Sequence, residues 1–235
     1  MNELIKVFDS LESTNQTAKE FAKSGAEHGT VIIADSQTAG KGRYGRTFYS
    51  PPGHGIYMSM ILNRPLSLAT AFAAVSVCEA IEAVSEKRPQ IKWVNDVFLD
   101  GKKIGGILTE AISGIPRIVI GIGINFSTPV MEFPEELRQT TGSLFPNGNA
   151  TTTRNDLAAQ MINRIVAPEK QTGEKEILEQ YKKRLMMLGK TISVIAPNET
   201  YEALAVDIDE AGRLIVKKNT GEWQTLSAGE ISVRM

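Results

Sequence analysis

The spacing of hydrophobic positions changes several times along the chain, and each change predicts an element. Residues 3–8 alternate weakly and read as a short strand. Ser13-Thr14-Asn15 opens a polar helix that runs to about Ser24. The Ser13 or Thr14 hydroxyl is placed to accept a backbone N–H at its start, and Gly25 suits its end. Gly29 to Asp35 (GTVIIAD) is a β-branched run, hence a buried strand. A polar, glycine-rich stretch from Ser36 to about Gly55 separates it from an alternating strand at Ile56–Leu62. Ser67 to Ser85 is alanine-rich and apolar along its whole length, which predicts a largely buried helix capped by Ser67. Cys78 lies inside that helix and reads as a packed core thiol.

Residues 91–93 and 96–99 are short extended pieces. Asp100-Gly101 predicts a two-residue hairpin turn, because both positions tolerate positive φ, with a return strand from Lys102 to about Glu110. Ile115 to Ile124 (IPRIVIGIGI) is another apolar strand, and helices follow near 154–166 and 174–187. After Leu188-Gly189-Lys190 the pattern shifts to short alternating runs at 191–196, 200–208, 213–218 and 222–226. Pro-Asn, Asp-Glu-Ala-Gly and Asn-Thr-Gly separate them. Such closely spaced turns predict a small antiparallel barrel, so we expect a first domain over 1–187 and a second over 188–235.

Composition narrows the function classes. The 235 residues are 42% hydrophobic and 23% charged, as in ordinary globular proteins. A net charge of −1 provides no general attraction to nucleic acid or anionic membrane. A single cysteine excludes an internal disulfide framework and fits a reducing compartment. No run approaches the ~18–20 apolar residues of a membrane span, and the N-terminus is too polar for a signal peptide. A cytoplasmic protein is expected.

Four segments hold candidate chemistry. Gly40-Lys41-Gly42-Arg43-Tyr44-Gly45-Arg46 carries three glycines and three cations directly after a buried strand, a composition suited to an anion, although a plain solvated loop reads equally well. It is not a P-loop: Asp35 stands where the first glycine is needed, and Gly42 follows the lysine. Lys92-Trp93-Val94-Asn95-Asp96 sets a lysine, an amide and a carboxylate between short strands; a bulged turn is its plain reading. Lys103-Ile104-Gly105-Gly106-Ile107-Leu108 has two glycines inside a strand, a mark of close approach by a ligand or backbone. Neighbouring strand residues face opposite ways, so one of Lys102 and Lys103 faces the sheet's working side. Gly121-Ile122-Gly123-Ile124-Asn125 ends a buried strand in an amide. The two histidines, His28 and His54, have no metal-ligand spacing, and no nucleophile elbow is present. Cations, amides and glycines suit phosphoryl or nucleotidyl transfer by positioning and charge stabilisation.

In order and spacing, these segments resemble the catalytic core of bacterial biotin–protein ligases. That family carries S-T-N near its start, then Q-x-A-G-R-G-R-x-G-R, K-W-P-N-D, a lysine before a small-G-I-L run, and G-x-G-I-N. Here they read Ser13-Thr14-Asn15, Gln37 to Arg46, Lys92 to Asp96, Lys103 to Leu108 and Gly121 to Asn125, with Gly229-Glu230-Ile231-Ser232 similar to the family's last strand. The resemblance implies an α+β fold: a central mixed β-sheet flanked by helices, like the core of class II aminoacyl-tRNA synthetases, with a small C-terminal SH3-like β-barrel. It implies ATP-dependent ligation of biotin to a lysine of the biotin-carrier domain of a biotin-dependent carboxylase, through biotinyl-5'-AMP, with Mg2+.

By the same resemblance, Ser13, Thr14, Asn15 and Gln37 line the ureido ring, and Gly106 and Gly121 belong to the biotin site. Gly40, Lys41, Gly42 and Arg43 form a loop closing over biotin and its adenylate. Arg43 and Lys103 are the catalytic pair, holding the biotin carboxylate and the α-phosphate. Arg46, Phe48, Lys92, Asn95, Asp96 and Asn125 serve ATP, with Asp96 a candidate Mg2+ ligand. Lys41 stands for an arginine, Val94 for the proline, and Phe48 for a tryptophan found in some members. Larger members begin with a DNA-binding helix-turn-helix, and this sequence starts at the core, so a ligase without a repressor module is expected, with no DNA partner and no membrane. A homodimer is one option for its assembly. The rival readings are a lipoate–protein ligase and a non-catalytic nucleic-acid-binding protein using Arg43, Tyr44, Arg46 and the barrel.

Overall fold

Two strands with no exposed position, β3 (Gly55–Leu62) and β7 (Ile118–Asn125), lie side by side in the middle of a seven-stranded sheet. The structure is a computed structural model that describes residues 4–63, 68–166, 173–195, 199–227 and 230–233. The other strands are β1 (Ile5–Leu11), β2 (Val31–Gln37), β4 (Gln90–Lys92), β5 (Asp96–Leu99) and β6 (Lys102–Ala111), in the order β1-β2-β3-β7-β6-β5-β4. Only β1 and β2 pair in parallel, so the sheet is mixed.

Both faces of this sheet are covered, which is why its central strands are apolar apart from Ser59 and Asn125. Helix α1 (Thr14–Lys23) lies on one face. Its Ala18 and Ala22 form a small core with Ile32, Ile61 and Val119. Helix α2 (Ala69–Val84) covers the other face, backed by α3 (Arg154–Val166) and α4 (Glu174–Arg184). Ile118, Ile120, Ile122 and Ile124 of β7 join the larger core on that side. The alternation along β7 therefore turns Val119, Gly121, Gly123 and Asn125 toward the α1 side.

A second sheet is antiparallel and holds β8 (Thr191–Ile195), β9 (Thr200–Ile208), β10 (Leu214–Lys218), β11 (Trp223–Leu226) and β12 (Glu230–Val233). Its order is β11-β10-β9-β8-β12, consistent with a small barrel-like domain. Ile192, Val194, Ala203, Ala205, Leu214 and Val216 bury against the main core. The buried Trp93 indole N–H donates to Gly212 O at 2.9 Å, and Lys182 of α4 pairs with Asp207 of β9.

The expected mixed sheet flanked by helices, followed by a small antiparallel sheet, is what the chain forms. Asp100 and Gly101 turn with φ of 49° and 75°, as the hairpin requires. Gly25 ends α1 at φ 91°. Other expectations need correction. Ser13 is the N-cap of α1 but makes no side-chain cap bond; the Thr14 N–H instead donates to Gln37 Oε1 at 2.9 Å, from the end of β2. The helix expected to run to residue 187 ends at Arg184, because Leu185 bridges to Ile91 and the Met186 N–H donates to Ile91 O. The strand expected from Ile115 begins at Ile118. The Ser67 cap, the Pro197-Asn198 turn and Gly229 lie outside the described residues.

Cys78 is fully buried in α2, and burial pushes its thiol up to about 12. The native protein should resist iodoacetamide at pH 8 and label only after denaturation, as intact mass reports. Labelling of native protein at the rate of a free thiol would contradict this packing.

Candidate active site

The absence of side chains at two β7 positions opens a cavity on the α1 side of the sheet. A Cβ at Gly121 would lie 1.9 Å from Asn15 Oδ1, and one at Gly123 would lie 2.6 Å from the Phe48 ring. Both groups therefore rest directly on the strand. Around them lies a cleft of about 360 Å³, within the usual range of small-ligand sites.

One end of the cleft is polar and uncharged. Asn15 Nδ2 donates to Leu108 O at 3.2 Å and to Glu110 Oε2 at 2.8 Å. The Ser59 hydroxyl lies 2.6 Å from Asn15 Oδ1 and 2.8 Å from Thr14 Oγ1. Its single proton goes to Asn15 Oδ1, which can only accept. Gln37 Oε1 receives the Thr14 N–H, while Gln37 Nε2 donates to Ser50 Oγ at 2.9 Å. Behind this end, Lys19 pairs with Glu110. Burial works to raise the Glu110 carboxyl, but hydrogen bonds from Lys19 and Asn15 and the charges of Lys19 and Lys41 hold it below the ordinary range.

The other end is cationic. Lys103 Nζ lies 2.7 Å from Asp96 Oδ1, and Arg43 Nη1 donates to Asn95 Oδ1 at 3.2 Å. Arg43 also bonds the Tyr44 hydroxyl and stacks over its ring. Lys92 Nζ lies 5.8 Å from the centroid of Phe98. A bulge places Lys103 here. Val97 pairs with Gly105 and Phe98 with Lys103, so Ile104 is an extra residue in β6. In a regular strand, Lys103 and Gly106 would face opposite ways; the bulge brings them to one face. The Lys103 N–H donates to Thr140 O, and the Gly142 N–H donates to Lys103 O, both at 2.9 Å. Lys102 turns away, its ammonium bonding Gln139 O.

The glycine-rich segment is a closed hairpin loop. Lys41 bridges to Thr47, the Gly42 N–H donates to Arg46 O at 2.7 Å, and Tyr44 takes positive φ (56°). Gly40 sits at its base, where a Cβ would fall 2.5 Å from Phe48 O. Phe48 packs edge-on to Tyr57 with ring centroids 6.3 Å apart.

The segment from Lys92 to Asp96 is held from outside the cleft. Beyond the Trp93–Gly212 bond, the buried Tyr181 hydroxyl donates to Val94 O at 2.7 Å; burial raises its phenol, which stays a donor. The Trp93–Val94 peptide is cis. Asn95 Nδ2 donates to Ile107 O. Asn125 Nδ2 donates to Gly142 O at 3.1 Å, and its buried Oδ1 has no protein partner.

Of the residues singled out in the sequence, Ser13, Thr14, Asn15, Gln37, Lys41, Gly42, Arg43, Arg46 and Phe48 all line this cleft. So do Lys92, Asn95, Asp96, Lys103, Gly106, Gly121 and Asn125. Gly40 does not; it shapes the loop base. Sequence reasoning missed Ser59, Glu110, Lys19 and the strap carrying Phe133, Leu137, Thr140 and Thr141. Ser59 had a signal, a lone hydroxyl in the otherwise apolar IYMSMIL run. The strap had none, since it lacks a period.

The family model described as "Biotin/lipoate A/B protein ligase family" matches residues 7–126, and that of the biotin protein ligase C terminal domain matches 187–234. This chain belongs to the biotin/lipoate A/B protein ligase family. Among relatives of that family, the chain is 35% identical to the bifunctional ligase/repressor BirA of Bacillus subtilis, over 94% of this chain and 71% of that protein. It is 32% identical to the biotin–[acetyl-CoA-carboxylase] ligase of Mycobacterium tuberculosis, over 93% and 85%. The fold matches the biotin protein ligase of Aquifex aeolicus, solved in complex with biotin and ATP, with a TM-score of 0.82, 28% identity and 98% of both chains covered.

Gly121→Ala should displace Asn15 and lower the melting temperature, with a cost of roughly 1–3 kcal/mol typical of overpacking. An unchanged thermal melt would mean that Asn15 does not rest on β7.

Proposed function

We propose that the chain is a biotin–protein ligase that joins biotin and ATP in this cleft and passes the biotinyl group to a lysine of a carboxylase's biotin-carrier domain. One observation carries the reading: in a chain of this family, Arg43 and Lys103 converge on a single cleft whose far end offers amides and hydroxyls. A ureido ring has N–H donors and a carbonyl acceptor, which suits Ser13, Thr14, Asn15 and Gln37. A carboxylate and an α-phosphate suit the two cations. The named relatives and the Aquifex aeolicus complex support biotin over lipoate.

Biotin's carboxylate cannot be attacked by an amine at neutral pH, because its leaving group is too poor. In the first step a carboxylate oxygen attacks the α-phosphorus, the bond to pyrophosphate breaks, and a mixed anhydride with AMP forms. Two anions must meet, so their repulsion is cancelled by Lys103 and Arg43, at about 1.5–3 kcal/mol per charge-assisted bond. Before substrate enters, Lys103 is paired with Asp96. Both side chains are partly exposed (33% and 23%), so exchanging this partner for a ligand anion costs little. The Gly40–Gly45 loop closes over the anhydride and keeps water out. In the second step the acceptor's neutral amine attacks the acyl carbon and AMP leaves; nearby positive charge favours that neutral amine.

Magnesium accompanies ATP as part of the substrate. Among the described residues no three His, Cys, Asp or Glu side chains cluster as a metal cage. The oxygens on offer, Asp96 and the unpartnered Asn125 Oδ1, suit an ion held mainly by phosphates and water. Arg46 and Phe48 belong to the nucleotide side. No helix among the described residues is long and apolar enough to cross a membrane, and a cytoplasmic setting follows from the substrates. The division into residues 1–187 and 188–235 belongs to the same reading, supported by the turn to short strands from Thr191.

Incubation with biotin, MgATP and a carrier domain should add one biotinyl group to the carrier by intact mass, and lipoate in place of biotin should add nothing. Absence of biotin-dependent ATP–pyrophosphate exchange would overturn the reading. Lys103→Ala should keep the fold and lose adenylation by at least tenfold, since removing a donor to developing charge commonly costs roughly 10²–10³ in rate. Near wild-type single-turnover adenylation would remove Lys103 from the chemistry.

A further inference from the structure

Glu110 lies outside every motif above, yet it touches the polar end of the cleft. Helix α1 and strand β6 bring two pairs together. Asn15 and Lys19 are one turn apart on one helix face, and Leu108 and Glu110 share one strand face. Glu110 Oε2 accepts from Asn15 Nδ2, and Glu110 Oε1 accepts from Lys19.

Asn15 is 4% exposed, and the two ends of its amide meet opposite chemistry. Leu108 O and the Glu110 carboxylate face the nitrogen, and both are acceptors. The Ser59 hydroxyl faces the oxygen and donates to it. Turning the amide over would set Oδ1 against a carboxylate and a carbonyl, and the Ser59 oxygen could accept only one of the two N–H donors. An unmatched buried polar group is costly, because it has given up water without gaining a partner. The contact to Glu110 is shorter than that to Leu108 O and is charge-assisted, so the carboxylate dominates the choice. Oδ1 then rests on Gly121, where no Cβ covers it, with one lone pair left for a ligand.

We propose that Glu110 is a positioning residue for ligand specificity: it locks the Asn15 amide so that its oxygen, not its nitrogen, faces the ligand, selecting a ring that presents N–H donors. This rests on the reading that biotin's cyclic urea occupies that end of the cleft. Lys19 has a different part. It balances the Glu110 charge without touching Asn15, so the ion pair and the amide lock can be separated.

The test is calorimetric titration of biotin into wild type, Glu110→Ala, Glu110→Gln and Lys19→Ala, with the KM for ATP measured in pyrophosphate exchange. Glu110→Ala should raise the biotin Kd about tenfold, the scale of one charge-assisted hydrogen bond, with the KM for ATP changed less than about twofold. Glu110→Gln keeps a carbonyl for Asn15 Nδ2 and should restore the Kd to within about threefold of wild type. Lys19→Ala should also stay within about threefold, because a partly exposed ion pair contributes little. A purely structural ion pair would instead lower the melting temperature in both alanine variants and leave the biotin Kd unmoved. A wild-type Kd in Glu110→Ala, or an equal loss in Lys19→Ala, would overturn the proposal. Glu110→Thr, with a residue suited to a strand, carries the same expectation should the alanine variant not fold. Failure of the wild type itself to bind biotin would overturn the proposed function instead.

Discussion

The site depends on β7 having no side chains at positions 121 and 123. A sheet buried on both faces normally fills that space with Cβ atoms and their branches. Here Asn15 and Phe48 occupy it, at distances no Cβ would permit. The same strand fills its opposite face with four isoleucines, which anchor the sheet to α2. One strand thus serves as core on one side and as the floor of a cleft on the other.

Around that floor, the Asn15 and Gln37 amides are each oriented by neighbours. Ser59 and Glu110 set the Asn15 amide, and Ser50 and the Thr14 N–H set Gln37. The cationic end is arranged differently. Lys103 and Arg43 rest on Asp96 and Asn95, partners they can exchange for a ligand. A fully satisfied polar network is rigid and specifying, whereas partly exposed ion pairs are cheap to rearrange. Rigid recognition at one end and exchangeable charge at the other suit an enzyme that must first select an acid and then neutralise it against a phosphate.

The second sheet is tied to this chemistry through the back of the Lys92–Asp96 segment. The Trp93 indole reaches Gly212 in the β9–β10 turn, and Tyr181 of α4 holds Val94. Residues that come late in the chain therefore support a segment whose other side lines the cleft.

Alternation and turn chemistry determined much by themselves: the strands flanking Asp100-Gly101, the buried α2 and the short strands after Thr191, while the motif residues that line the cleft were legible through the resemblance to a known family. Those elements depend on neighbours a few residues apart, so they are written locally. Other features needed the folded chain. Strict alternation would have turned Lys103 away from Gly106, and only pairing with β5 makes Ile104 the extra residue that brings them together. Ser13 holds the cap position of α1, but the Gln37 amide, 23 residues beyond Thr14, accepts the Thr14 N–H at the helix start. Glu110 acts on Asn15 across 95 positions, and Trp93 meets Gly212 across 119. No periodicity encodes such pairings, because they arise when separate elements pack and leave polar groups whose buried hydrogen-bonding capacity must be met.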